Sequence, residues 1–318
     1  MAHELEMING EAQMAYRASQ GKPWHGMGTP VSDDMTPREM MVAAGLNWDV
    51  NKVPTFIDVN GERIQTGQEA LVRSTDNKIL TQVGPGWNPV QNQEAFDFFS
   101  EFVKAGDMVM DTAGSLKDGQ IVWALADVKD GFSLFNGDDV RGYLLFSNPH
   151  QYGKAIDIKF VMERVVCNNT LTVALHERGQ PAVRVNHRSV FDAAKVKEIL
   201  GLGHNKVEKF KEAAEFLGSK QYNKEQLERF FGKVFGESSR ADKVLSRTAE
   251  RAMELVEDQP GDHFRPGSWW NAYNAVTYLT DHELCRSEDT RLTAAWFGGN
   301  AKRKVDALDA ALEMADAA

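Results

Sequence analysis

Asp111-Thr112-Ala113-Gly114-Ser115-Leu116-Lys117-Asp118-Gly119-Gln120-Ile121-Val122-Trp123-Ala124-Leu125-Ala126-Asp127-Val128 decides the fold class. Residues 111–116 and 120–128 are short β-like runs set around Gly and Asp turn residues, the pattern of neighbouring strands. The same texture continues on both sides. Downstream lie Val140 to Ser147 and Ala155 to Val166, and Leu171 to His176 reads as a strand or the start of a helix. Upstream, Trp48 to Val59 runs into Asn60-Gly61, the dipeptide of a two-residue hairpin turn. Glu69 to Ser74 and Ile79 to Val83 flank Asp76-Asn77 as a second hairpin. Two helices interrupt the strands. Thr36-Pro37-Arg38-Glu39 opens the first, with an N-cap threonine and a proline at the first helical position, and Gly45 ends it. Gln93 to Lys104 is the second, amphipathic through Phe98, Phe99 and Phe102, with Gly106 just past its end. Gly21 to Pro30 reads as a loop.

The texture changes near Pro181. Beyond it, Val190 to Leu200, Asn205 to Leu217, Ala241 to Asp258, Ser268 to Asp281 and Arg303 to Ala317 read at helical period, and Asn223-Lys224-Glu225-Gln226 has the form of a capping box. The expected fold is α+β: an antiparallel sheet with flanking helices, followed by a mainly helical C-terminal region. The expected parts are residues 1–183 and 184–318, meeting near 180–190.

Composition narrows the function classes. The chain has 318 residues, 42% hydrophobic and 26% charged, which excludes a disordered chain, a collagen-like repeat and a coiled-coil rod. No stretch approaches the ~20 apolar residues of a membrane span. The acidic start Met1-Ala2-His3-Glu4-Leu5-Glu6 lacks the apolar segment of a secretory signal. Cys167 and Cys285 are too few for a disulfide framework or a four-cysteine zinc site and are expected to be free thiols. A soluble, cytoplasmic protein is expected. The net charge of −10 argues against a protein that coats duplex DNA through a basic face. That charge is uneven: residues 1–180 carry a balance of −9 and residues 181–318 one of −1, with +3 concentrated in 181–220.

No phosphate-binding loop, zinc-protease helix or nucleophile elbow is present, and Gly26-Met27-Gly28 lacks the third glycine and following helix of a dinucleotide fingerprint. The eight histidines do not fall at metal-binding spacing, and Asp281-His282-Glu283 with Cys285 reads as a polar helix end. No enzyme activity, cofactor or metal is therefore expected. Three runs could carry binding. Lys22-Pro23-Trp24-His25-Gly26-Met27-Gly28 would present Trp24 and His25 from a loop whose glycines allow close approach, or would seat Trp24 on the core. Arg164-Val165-Val166-Cys167-Asn168-Asn169-Thr170-Leu171 offers a cation beside two amides, and Asn168-Asn169 would equally suit a turn. Arg184, His187 and Arg188 form a basic cluster that Lys195, Lys197, Lys206, Lys209 and Lys211 continue. This suits phosphates of a single strand or a solvated helix face. Trp270, Asn274 and Tyr278 share one helical face, which reads as core or as a ligand face.

The Lys22 to Pro30 and Arg164 to Leu171 runs, together with Ala44-Gly45-Leu46-Asn47-Trp48, Ala70-Leu71-Val72-Arg73-Ser74, Pro89-Val90-Gln91-Asn92, Asp111 to Leu116, Trp270-Asn271-Ala272-Tyr273-Asn274-Ala275-Val276-Thr277 and Asp281-His282, resemble the phage/plasmid-like family built on domain of unknown function 932. The resemblance implies carriage by phages, prophages and plasmids. It implies no reaction and therefore no catalytic residues. The layout is also similar to that of RecT-type single-strand annealing proteins, which assemble as rings or filaments and lay DNA along a groove. That likeness implies a homo-oligomer that binds single-stranded DNA; from the runs above, the expected contact residues are Trp24, His25, Arg164, Asn168, Asn169, Arg184, His187 and Arg188. A second class is an inhibitor or interaction protein that blocks a host defence factor with the acidic surface of residues 1–180. A third, a hydrolase, has no motif in its favour.

Overall fold

The computed structural model describes residues 4–23, 26–164, 169–172, 183–201, 204–236, 245–284, 294–296 and 298–317. The fold is α+β with a helical C-terminal region. Cys167 and Cys285 lie outside the described residues.

The chain forms two compact units, and neither is continuous in sequence. The first comprises 1–129, 143–159 and 182–201; the second comprises 130–142, 160–181 and 202–318. The main sheet has eight strands. β3 (Met14–Arg17) pairs antiparallel with β8 (Met108–Leu116), which pairs antiparallel with β9 (Ile121–Leu134). The order continues through β10 (Asp138–Pro149) to β11 (Ile156–Arg164), which pairs antiparallel with both β12 (Asn169–Thr172) and β13 (Val183–Val185). The remaining strand, β4 (Thr29–Val31), lies parallel to β3. Strands β3 and β4 escape the sequence reading, which left residues 1–20 unassigned and made 21–30 a loop. A run of four residues has too few alternations to register, yet all four of Met14–Arg17 are buried. A two-stranded ribbon of β1 (Met7–Ile8) and β2 (Glu11–Ala12) precedes them.

Helix α1 (Pro37–Ala43) starts as expected. The Thr36 side chain accepts from the Glu39 N–H, and Glu39 accepts from the Thr36 N–H at 2.9 Å, a complete capping box. The single helix expected over 93–104 is instead two, α2 (Asn92–Asp97) and α3 (Ser100–Ala105). Phe98 and Phe99 are both fully buried. The break between the two helices falls at these two residues. There Phe98 meets Phe146 at 5.4 Å.

A three-stranded sheet of β5 (Val50–Val59), β6 (Glu62–Arg73) and β7 (Ile79–Val83) completes the first unit. β5 and β6 close at Asn60-Gly61, with φ of 51° and 86°, the left-handed pair a two-residue hairpin needs. The register shifts between Pro54 and Phe56, opposite Gly67. Beyond that shift the hairpin is an arm without apolar cover. Val53, Phe56, Ile57, Val59 and Ile64 are all exposed, and Ile57 keeps 52% of its surface. The arm's base is locked by charge: Arg73, itself buried, reaches Glu6 at 2.6 Å and Asp76 at 2.6 Å.

The second unit packs α5 (His204–Ser219), α6 (Lys224–Phe235), α7 (Arg247–Leu255), α8 (Trp269–Tyr278) and α9 (Gly299–Asp316) around Phe210, Phe230, Trp269, Trp270 and Tyr273. Helix α4 (Ala193–Gly201) belongs to the first unit. The Trp270-Asn274-Tyr278 face is core. Trp270 is buried and donates its indole N–H to Asp138 at 2.9 Å, and Asn274 donates to the Trp270 carbonyl at 2.8 Å. A π-helical turn, Leu279–Glu283, follows α8. Asn300 satisfies it by donating to the Thr280 and Leu284 carbonyls at 2.8 and 2.9 Å. Buried Lys304 binds Asp281 on the same turn at 2.7 Å. Among the described residues no helix is long and apolar enough to cross a membrane.

Candidate functional site

The structure places the expected contact residues in several different settings. Trp24, His25 and Asn168 lie outside the described residues. Arg164 of β11 and Asn169 of β12 are cross-strand partners in the second unit. Arg184, on β13, is exposed and has its Nε 3.6 Å from the Asp157 carboxylate directly across the ladder. Arg188 is exposed and takes an Asn186 side-chain oxygen on its backbone N–H at 3.0 Å.

His187 corrects the expectation that it contacts nucleic acid, because only 1% of its surface is exposed. It stacks on Trp87 at 4.0 Å and 20°, and its Nδ1 lies 3.1 Å from the Asn88 carbonyl. Burial lowers its pKa, while the Asn88 and Pro149 carbonyls oppose that shift. Its counterpart is His150, fully buried just past the end of β10, which sequence spacing did not single out. Asn92 fixes the tautomer of His150. Its Nδ2 donates to the Leu46 and Trp48 carbonyls, so its oxygen faces His150 Nε2 at 3.0 Å, and that nitrogen carries the proton. With Asn148 donating to the Val90 carbonyl at 2.8 Å, three side chains hold Asn88, Val90 and Asn92 at alternate positions of one extended segment. This is a clasp, and both imidazoles serve it in the neutral form. Burial, with the nearby His187 as the lesser cause, pushes the His150 pKa down to about 3.

An accessible basic site lies elsewhere, in the second unit. Lys233 and Val234 of α6 and Gly299, Lys302, Arg303, Asp306 and Ala310 of α9 line a cleft of about 350 Å³. Helix α9 is 18 residues long. Its N-cap is Gly298, which offers no side-chain cap, and no acidic residue occupies its first turn. The first backbone N–H groups therefore point out of the helix with the positive end of its dipole. Of the three cations lining the cleft, Lys233 and Lys302 are engaged by exposed carboxylates, and Arg303 by the buried side chain of Asn300. Lys233 meets Glu313 at 2.7 Å, Lys302 meets Asp306 at 2.6 Å, and Arg303 donates to Asn300 at 3.0 Å. The two exposed ion pairs, of Lys233 and Lys302, contribute about 0–1 kcal/mol each, so an incoming anion displaces them at little cost. The sequence reading started this helix at Arg303 and missed the cleft. The overlooked signal is Gly298-Gly299-Asn300-Ala301-Lys302-Arg303: two glycines opening a helix whose first turn ends in two cations.

Among the described residues no group of three or more His, Cys, Asp or Glu side chains converges as a metal site would require. Compared with known proteins, the chain matches the family described as Domain of unknown function (DUF932) over residues 79–296, more than half its length. The chain belongs to the DUF932 family. The DUF932 match takes in the clasped 88–92 segment, His150, His187 and helices α4 to α8. It ends before α9, so one wall of the basic cleft lies inside the DUF932 region and the other beyond it. No curated protein and no solved structure matches the chain.

Proposed function

We propose that the protein binds single-stranded DNA as a homo-oligomer, holding phosphates at the N-terminal end of α9 with Lys302 and Arg303 and further along the same cleft with Lys233. The cleft itself carries this reading: Lys302 and Arg303 stand in the first turns of a helix whose N-terminal N–H groups have no side-chain cap, a combination suited to phosphate oxygens, and Lys233 lines the same cleft further along α9. The overall charge of −10 makes local placement of the cations matter more than their total. Arg184 and Arg188 are exposed cations of the first unit and add a separate phosphate contact.

The test is fluorescence anisotropy of a labelled 40-mer across a salt series. Each phosphate neutralised on a single strand contributes a log–log slope of about −0.7. Replacing Lys302 and Arg303 together with Ala should weaken binding to all sequences alike and flatten the slope by about 0.7 to 1.4, one or two contacts. Arg184→Ala with Arg188→Ala should do the same to a similar extent. Wild-type protein that fails to bind at low salt and micromolar concentration would end the nucleic-acid reading and favour an interaction through the acidic surface.

A further inference from the structure

The β5–β6 arm leaves one edge of β5 open, and two separate contacts fix which peptide groups face that edge. At the base, Val50 donates its N–H to Gln91 Oε1 at 2.8 Å and accepts from Gln91 Nε2 at 3.1 Å, so both its peptide groups turn away from β6. At the tip, the Asn60-Gly61 turn is closed by Val59 and Glu62, the hydrogen-bonded pair of a two-residue hairpin. Peptide groups alternate along a strand, and counting from either end gives the same answer. Lys52, Pro54, Phe56 and Asp58 present their backbone groups to the open edge. The position of Pro54 agrees, since proline belongs where the missing N–H would have faced outward.

We propose that this edge pairs with β5 of a second copy of the chain, antiparallel, about a two-fold axis at Thr55. The sequence is self-complementary in that register. Lys52, which within its own protomer pairs with Glu69 at 2.6 Å and donates to the Pro85 carbonyl at 2.8 Å, stands opposite the partner's Asp58 and would turn to it or share its charge between the two carboxylates, and the symmetry repeats the ion pair on the other side of the axis. Val53 stands opposite the partner's Ile57 in a pair without direct hydrogen bonds, the type in which side chains come closest. On the other face Phe56 packs against the partner's Pro54. Lys52 and the partner's Asp58 exchange two backbone bonds. Phe56 also donates to the partner's Pro54 carbonyl, giving about six bonds in all with the symmetric set. Neighbouring registers are worse. An axis at Pro54 sets proline against proline, with no N–H to share, and an axis at Phe56 sets Asp58 against proline and loses both ion pairs. Gln91 already occupies the groups of Val50, so the ladder stops there. The contact also accounts for Val53, Phe56 and Ile57 being left exposed on one isolated hairpin, a structure of marginal stability when alone.

The dimer is measured without DNA, so its outcome is independent of the nucleic-acid reading. In full-length protein with Cys167→Ser and Cys285→Ser, Thr55→Cys should give a disulfide-linked dimer under mild oxidation, because paired positions at the axis lie about 4.5 Å apart at Cα. Val53→Cys and Ile57→Cys should not link with themselves but should link when the two variants are mixed. By sedimentation, Asp58→Lys should weaken the dimer at least tenfold, and adding Lys52→Asp should restore it. These side chains are partly or largely exposed, and circular dichroism will report whether each variant is folded. The proposal is overturned if folded Thr55→Cys stays monomeric on oxidation, if Val53→Cys links with itself as readily as with Ile57→Cys, or if Asp58→Lys leaves association unchanged.

Discussion

Lowering the pH from 7 to 5 should destabilise the native protein by about 2 kcal/mol through His150 alone. The sign follows from where the proton goes. Unfolded, His150 titrates near its ordinary 6.5; folded, burial holds it at about 3. Between those values the unfolded chain binds a proton that the native protein refuses. Stability is therefore complete above pH 6.5 and is lost as the pH falls towards 3, by about 1.4 kcal/mol per unit. His187, also held below its ordinary range by burial, adds to the same slope. The carboxylates act in a lower window. Asp76, brought down to about 2 chiefly by its hydrogen bond from Arg73, gives stability that is complete above its ordinary 3.8 and lost only as the pH falls from there towards 2. Urea midpoints at pH 7 and pH 5 are the check, with His150→Gln as the control that should flatten the difference. Equal stability at the two pH values would show that the clasp does not exclude protons.

The second large effect concerns Asp281. Its Ala variant leaves the Lys304 ammonium, which has no exposed surface, without its carboxylate 2.7 Å away. Removing one partner from a buried pair typically costs about 3–5 kcal/mol. Burial already lowers the Lys304 pKa, and Asp281 opposes that shift. Without Asp281 the native state should favour the neutral amine, and folding should then release a proton. Asp281→Ala should therefore be less stable than wild type at pH 7 and recover part of the loss at pH 9. Combining Asp281→Leu with Lys304→Met should recover more, because no charge then remains to be desolvated. A single variant as stable as wild type at pH 7 would mean that water reaches the pair.

Local grammar was readable in the sequence, and long-range placement was not. Thr36 and Asn223 cap their helices as their spacing suggests, because a capping box is complete within four residues. Asn60-Gly61 forms the expected turn because the backbone angles are set by those two residues. The β9–β10 turn was missed. Phe135 and Asn136 take left-handed angles there, and an aromatic residue gives no warning of that. The clasp was half visible. His187 was noticed for its basic neighbours, whereas His150 is joined to it only by folding, 58 residues away from the Asn92 that orients it. The cleft on α9 was missed because a glycine pair reads as a loop until the helix that begins within it is seen.

The two compact units also limit how the gene can be divided. The polypeptide passes between them at 129/130, 142/143, 159/160, 181/182 and 201/202. Three of those crossings fall within single strands, β9, β10 and β11. A fragment starting at residue 184 would carry every helix from α4 onward but would lack the β9–β10 turn and the 160–164 end of β11. It would thus be missing Leu134, Val140 and Met162, which belong to the hydrophobic core those helices surround. Trp270 would lose Asp138 as well. A truncation series across this gene should therefore give insoluble or unstructured products from either side of residue 184, and a failure of such fragments to bind any proposed ligand would report a broken core and say nothing about where a binding site lies.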